Sequence, residues 1–186
     1  MTRDDLLTLL RAAQVNQPGL EILVVGSQSV LGAHEDTELP DRATMSVEAD
    51  VMYLRHGAFD EELTEMADAW FGEGSDFHET HGVYLQGVDE STCVLPTGWR
   101  TRLVRLPTPP GFHAPGLCLD PHDLAVAKLA AGRPKDIEFV DALLRSGHLD
   151  PEKVRVCADE LDAFVHPGAR GDVSRRLSSL TRSRRG

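Results

Sequence analysis

No long apolar run occurs in this chain. Stretches such as Ile22-Leu23-Val24-Val25 last only a few residues, whereas a membrane-spanning helix needs about 20. Cysteine is scarce and odd in number. Cys93, Cys118 and Cys157 are far apart and form no Cys-x-x-Cys pair, so neither a disulfide frame nor a zinc ribbon is supported. A reduced, cytoplasmic protein is expected. The opening residues Met1-Thr2-Arg3-Asp4-Asp5 lack the apolar region of a secretory signal. Positive charge is also in short supply: 19 Lys and Arg face 30 Asp and Glu, a formal net charge of −11. Six arginines and one acid, Asp172, fall between Arg170 and Gly186, a local +5 that leaves −16 on the remaining body. A body that acidic repels a phosphate backbone, which excludes a broad nucleic-acid groove. The arginine-rich tail, residues 167–186, reads as a flexible, solvated terminus. Contact with RNA, with an acidic partner or with the protein's own body are its alternatives.

What is present suits one α/β domain: 186 residues, 41% apolar and 26% charged. Thr2, with Asp5 three residues on, forms a capping box for a helix carrying Leu6, Leu7, Leu10 and Ala13 on one face. That helix should end before Asn16-Gln17-Pro18-Gly19. The run Glu21 to Val25 predicts a strand buried on both faces, closed by Gly26-Ser27. A helix could start within Gln28–Ala33, and His34 to Thr44 reads as a loop. A second strand is predicted over Val47–Tyr53. Asp60-Glu61-Glu62 opens a helix with Leu63, Met66, Ala67 and Trp70 on its apolar face. Strands follow at Val83–Val88 and Thr101–Leu106, separated by the Pro96-Thr97-Gly98 turn. Asp120-Pro121 and Asp150-Pro151 each supply an N-cap followed by proline. Between them a middle helix starts near Pro134 and closes at Gly147. The plan is a mixed sheet flanked by helices in residues 1–118 and a helical part, 119–166, packed on it.

Two constellations carry chemistry. Gly26-Ser27 closes a strand where backbone N–H groups and a hydroxyl can meet phosphate oxygens. Glu48 and Asp50, two apart on a strand, project on one face. Adjacent carboxylates repel, so one pKa rises unless a cation sits between them. Mg²⁺ takes one or two carboxylates plus substrate phosphates, so the pattern points to metal-assisted nucleotidyl transfer. A solvent-facing Glu-x-Asp on an ordinary strand is the alternative. The second constellation is Lys128-Leu129-Ala130-Ala131-Gly132-Arg133-Pro134-Lys135-Asp136. Lys128 and Asp136 both lean toward apolar faces, and buried charge needs a partner. Either they pair with each other, or Lys128 reaches a triphosphate while Asp136 supports it. Arg133 and Lys135 flank the turn and could contact phosphates. His78 and His81, three apart in a predicted loop, allow a structural zinc site, with hydrogen bonding of His78 to the fold as the alternative. Trp99 reads as a core anchor.

Gly26-Ser27-Gln28-Ser29-Val30-Leu31-Gly32 and Ser46-Val47-Glu48-Ala49-Asp50-Val51 together resemble a bacterial nucleotidyltransferase-like family. The further signatures are Phe77-His78-Glu79-Thr80, Gln86-Gly87-Val88, Leu95-Pro96-x-Gly98-Trp99-x-x-Arg102-Leu103-Val104, Leu119-Asp120-Pro121-x-Asp123-Leu124 and the Lys128–Asp136 segment. The resemblance spans roughly residues 21 to 150 and extends to the DNA-polymerase-β-like superfamily, including AbiEii and MenT toxins. It implies Gly26 and Ser27 at the phosphates, Glu48 and Asp50 at Mg²⁺ (or Mn²⁺), and Lys128 and Asp136 in the nucleotide site. An NTP, an acceptor (RNA, a protein or a small molecule) and an antitoxin protein are the implied partners. Three departures stand out. The first carboxylate is Glu48 rather than Asp, Gly32 to Met45 forms an inserted loop, and the strand predicted near Arg102–Leu106 carries no third carboxylate. A catalytically degenerate protein that binds nucleotide or a partner is therefore the alternative to an Mg-dependent transferase.

Overall fold

In the computed structural model residues 1–16, 21–108 and 116–182 are described. The Thr2–Asp5 capping box forms reciprocally: the Thr2 N–H donates to Asp5 Oδ2 at 2.8 Å and the Asp5 N–H to Thr2 Oγ1 at 3.1 Å. Helix α1 (Arg3–Asn16) follows and buries Leu6, Leu9, Leu10 and Ala13. The residues after Asn16 that were expected to end it lie outside the described set.

Strand β1 (Glu21–Val24) runs through the sheet's centre, with Ile22, Leu23 and Val24 fully enclosed. The chain then tightens into a 3-10 turn over Ser27–Gly32, not an α-helix. The expected loop to Thr44 holds a short 3-10 turn at Asp36–Glu38 and one helical turn, α2 (Asp41–Thr44). Strand β2 (Glu48–Arg55) returns antiparallel to β1, and β3 (Ala58–Phe59) hairpins onto its far end.

Asp60 caps α3 (Glu61–Phe71) by accepting the Leu63 N–H at 3.1 Å. Its buried stripe is Leu63, Thr64, Ala67 and Phe71, with Met66 turned outward. Asp76–His81, expected as loop, forms the short helix α4, capped by Ser75 and stopped by left-handed Gly82. Strand β4 (Tyr84–Gly87) lies parallel to the first half of β2.

The strand predicted over Thr101–Leu106 shrinks to β5 (Val104–Arg105), because Trp99–Thr101 coils into a 3-10 turn around the buried Trp99. An unexpected strand, β6 (Gly116–Cys118), fits between β1 and β5, parallel to the first and antiparallel to the second. The sheet is thus mixed and six-stranded, ordered β3-β2-β1-β6-β5 with β4 also on β2.

Three proline-initiated helices follow as expected: α5 (Pro121–Ala131), α6 (Pro134–Arg145) and α7 (Pro151–Asp159). The His122 ring ties two of their caps together: Nδ1 donates to Asp120 Oδ1 at 2.9 Å and Nε2 accepts the Asp150 N–H at 3.3 Å. Gly147, at φ 80°, closes α6.

Of the readings open for the basic tail, contact with the protein's own body is the one seen. Residues 169–182 form α8 (Ala169–Arg182), with Val173 and Leu177 buried. Two of its arginines cap neighbouring helices: Arg170 donates to the carbonyls of Asp159 and Leu161, and Arg176 to those of Leu129 and Ala130. Charge that read as solvated is spent on carbonyls left open at helix C-termini. Arg184 and Arg185 lie outside the described residues. Among those described, no helix is long and apolar enough to cross a membrane.

Candidate functional site

The end of β1, the start of β2, the C-terminal half of α5 and the first turns of α6 enclose a cleft of about 750 Å³. Every residue that the sequence pointed to for a nucleotide and its metal lines it: Gly26, Ser27, Glu48, Asp50, Lys128, Arg133, Lys135 and Asp136. The chain has brought together residues up to 110 positions apart.

Local backbone explains the first half. The Val25 N–H donates to the Asp50 carbonyl at 2.9 Å, which fastens the β1 exit to β2. Residue 26 is thereby held against the Asp50 side chain. A β-carbon there would stand 1.7 Å from Asp50 Oδ2 and 2.6 Å from its Cγ. Gly26 has φ −86° and ψ −160°, a conformation open to any residue, so close approach and not backbone freedom demands glycine. Past it the 3-10 turn begins at Ser27, where the first backbone N–H groups have no partner within the turn.

Electrostatics at the acidic pair are unfavourable by construction. Burial, then the neighbouring Glu48, push the Asp50 carboxyl above its ordinary value, against the opposing pull of Lys128, Lys135 and Arg133. Among the described residues no donor bonds its oxygens. Among the described residues the Glu48 carboxylate has one hydrogen-bond partner: Tyr84 Oη donates to its Oε2 at 3.1 Å. Burial and that bond push the Tyr84 phenol up to about 12. Two carboxylates on one strand, one of them desolvated and without a donor, form an all-oxygen set that suits Mg²⁺, which completes its shell from water and phosphate.

The second half is an ion triad. Asp136, 1% exposed, accepts from Lys128 Nζ at 3.1 Å and from Arg133 Nε at 2.5 Å. Burial alone would raise its pKa; the Arg133 hydrogen bonds and the Lys128 charge outweigh it and hold the carboxyl below its ordinary value. Lys128 Nζ also lies 4.9 Å from the centre of the Phe139 ring. Pairing of Lys128 with Asp136 is therefore realised, and the pair still faces the cleft. Arg42, Lys128, Arg133 and Lys135 oppose Glu48, Asp50 and Asp136, so the lining is formally +1 in a chain of net −11. Such a concentration of cations in an acidic protein favours an anionic ligand.

Several lining residues escaped the sequence reading. The inserted segment contributes Arg42 and Met45, with Ser46 just after it, and Arg42 pairs with Glu138 to join that segment to α6. On β4, Gln86, which lines the cleft, and Tyr84, which does not, stand in register with Asp50 and Glu48; their two-residue alternation is visible in the sequence, but the register that gives them a role is not. Beside Asp50 the neighbouring strand presents the neutral Gln86. His78 and His81 do not converge. His78 Nδ1 accepts the Gly74 N–H at 2.9 Å, and the His81 ring stacks on Phe77. Among the described residues no group of three or more His, Cys, Asp or Glu side chains could hold a metal ion.

Arg102 and Asp123, from two of the sequence signatures, serve the scaffold. Arg102 donates through Nε and a terminal nitrogen to the fully buried Asp123 at 2.8 and 2.9 Å, and also reaches Glu160 at 2.8 Å. This joins the Trp99 turn to α5 and to the residue after α7.

Compared with known proteins, the chain matches no curated protein and no solved structure. Residues 4–174 match a family described as nucleotidyltransferase of unknown function (DUF6036). Nearly the whole chain is covered, and the protein belongs to that nucleotidyltransferase family.

Proposed function

We propose that this protein is an Mg²⁺-dependent transferase that moves a nucleotide from an NTP to an acceptor hydroxyl. One observation carries the reading: the Asp50 carboxylate lies against Gly26, so the acidic pair of β2 and the Gly26-Ser27 corner share one end of a cationic cleft. Glu48 and Asp50 would hold the metal, which supplies charge neutralisation at the phosphates and polarisation of the α-phosphate. Gly26 and Ser27 offer N–H groups and a hydroxyl to phosphate oxygens. Lys128, Arg133 and Lys135 balance the triphosphate charge from the opposite wall, and buried Asp136 keeps the first two of these directed at the cleft. The acceptor oxygen bonds to the α-phosphorus as the bond to the bridging oxygen breaks. Pyrophosphate leaves with that electron pair, and the acceptor's proton passes to solvent. The acceptor class we infer is RNA, a protein or a small molecule, and the implied setting is a toxin held by an antitoxin.

A second reading has its own support. Gln86 beside Asp50 cannot take a proton from the acceptor, and Lys128 is already paired. A protein that binds nucleotide without turning it over fits both facts. Incubation with labelled NTPs, Mg²⁺ and cell extract separates the readings. Transfer of label that Glu48→Gln and Asp50→Asn abolish supports the enzyme. Saturable NTP binding with no transfer supports the binding module, and absence of both overturns the nucleotide site.

A further inference from the structure

We infer that Tyr84 is a positioning residue for the metal site, holding Glu48 in the orientation that grips the ion. The inference rests on the metal-binding reading of Glu48 and Asp50 given above. Strands β2 and β4 run parallel with Glu48 in register with Tyr84, which sets the two side chains next to each other on one face of the sheet. The phenol donates to one glutamate oxygen, Oε2, at 3.1 Å, leaving Oε1 for a ligand.

Glutamate makes this device useful. Its arm has one more rotatable bond than aspartate, so ordering it costs more side-chain entropy. A hydrogen bond made before the ion arrives removes part of that cost, and carboxylates that ligate metals are commonly fixed by such outer partners. Asp50 needs no equivalent, because its shorter arm is already confined against Gly26.

The tyrosine is itself held. The His78 ring lies 4.7 Å from the Tyr84 ring, and the Gly74 N–H donates to His78 Nδ1 at 2.9 Å. This accounts for the Phe77-His78-Glu79-Thr80 segment, which contributes no residue to the cleft lining. Helix α4 braces a histidine, the histidine braces the phenol, and the phenol aims the carboxylate.

The test is titration of the full chain with Mn²⁺, followed by the paramagnetic resonance signal of the free ion, with thermal melts alongside. Tyr84→Phe keeps the ring and removes the donor. It is expected to weaken Mn²⁺ about tenfold with little change in melting temperature. In a Glu48→Asp background, whose shorter arm falls short of the phenol, Tyr84→Phe should change nothing further. Mn²⁺ affinity equal to wild type in Tyr84→Phe, or an equal loss in both backgrounds, overturns the inference. Should Tyr84→Phe fail to fold, His78→Ala decides: it leaves the hydroxyl but removes its support, and unchanged Mn²⁺ binding overturns the inference. Glu48→Gln separates this from the underlying reading. If it binds Mn²⁺ like wild type, or wild type binds none, the metal site itself is overturned and the inference falls with it.

Discussion

The Asp50 carboxylate fills the space that a side chain on Gly26 would occupy, with Oδ2 only 1.7 Å from where a β-carbon would stand. Replacement by alanine must therefore turn Asp50 away. The obstructing atoms belong mainly to a side chain that can rotate, so the fold should lose only about 1–2 kcal/mol. Displacing a reacting group by about an ångström is enough for a loss on the order of 100-fold in rate. Gly26→Ala is thus expected to fold, to melt slightly lower, and to lose transfer activity and Mn²⁺ affinity together. An alanine variant with wild-type Mn²⁺ affinity would show that the contact has no bearing on the metal.

Asp50 and Asp136 should respond to pH with opposite signs. Asp50 has its folded pKa raised, so the native state holds its proton more tightly than the unfolded chain. Stability falls as pH rises from the ordinary carboxylate value through the raised one, and the penalty is complete above it. Asp136 has its folded pKa lowered. Its stabilisation is complete above the ordinary value and is lost as pH falls through the depressed one. At neutral pH, Asp50→Asn should therefore raise the melting temperature, whereas Asp136→Asn should lower stability by about 3 kcal/mol by stranding Lys128. Both differences should shrink toward zero in acid. Thermal melts of the two variants across that range check this, and Mg²⁺ should raise the melting temperature of wild type but not of Asp50→Asn.

The parts of this arrangement that were legible in sequence are those with local causes. Gly26-Ser27 closes an apolar run, Glu48 and Asp50 alternate on a strand, and Asp-Pro pairs start helices, so each could be read in place. Strand β6 could not be read. Three residues, Gly116-Leu117-Cys118, are too few for a period, and only pairing with β1 and β5 makes them a strand. Tyr84 was missed for a related reason: its role comes from register across β2 and β4, which no single segment encodes. The tail helix is only half legible: Val173, Leu177 and Leu180 carry helical spacing, but the density of arginine and serine around them resembles a solvated terminus. Its cations meet carbonyl groups far away in sequence, which composition does not reveal.

Asp123 has no exposed surface and is paired with Arg102 through two hydrogen bonds. Removing one member of a buried pair leaves the other charge without compensation, a loss of about 3–5 kcal/mol. Arg102→Ala is expected to fall in that range, seen as a lower midpoint in urea denaturation. Neither Arg102 nor Asp123 lines the cleft, so any Arg102→Ala protein that remains folded should bind Mn²⁺ as wild type does. Loss of metal affinity at full stability would place Arg102 in the site and not in the scaffold.

Truncation after residue 168 tests what the arginine-rich end does. As a solvated tail it could be removed at no cost. As α8 it takes away the buried Val173 and Leu177, each contributing about 1.5–3 kcal/mol, and the Arg176 cap on the end of α5. The turn beyond that cap is Gly132, at φ 67°, where the Arg176 guanidinium carbon lies 2.3 Å from a would-be β-carbon. Helix α5 carries Lys128 one turn earlier, so loss of the cap loosens the wall that faces Asp50. The shortened chain should therefore melt well below wild type and bind NTP more weakly. Arg176→Ala alone should reproduce part of both effects, costing about 1–2 kcal/mol. If truncation leaves the melting temperature unchanged, the helix contributes nothing to the fold and its arginines are free for a partner.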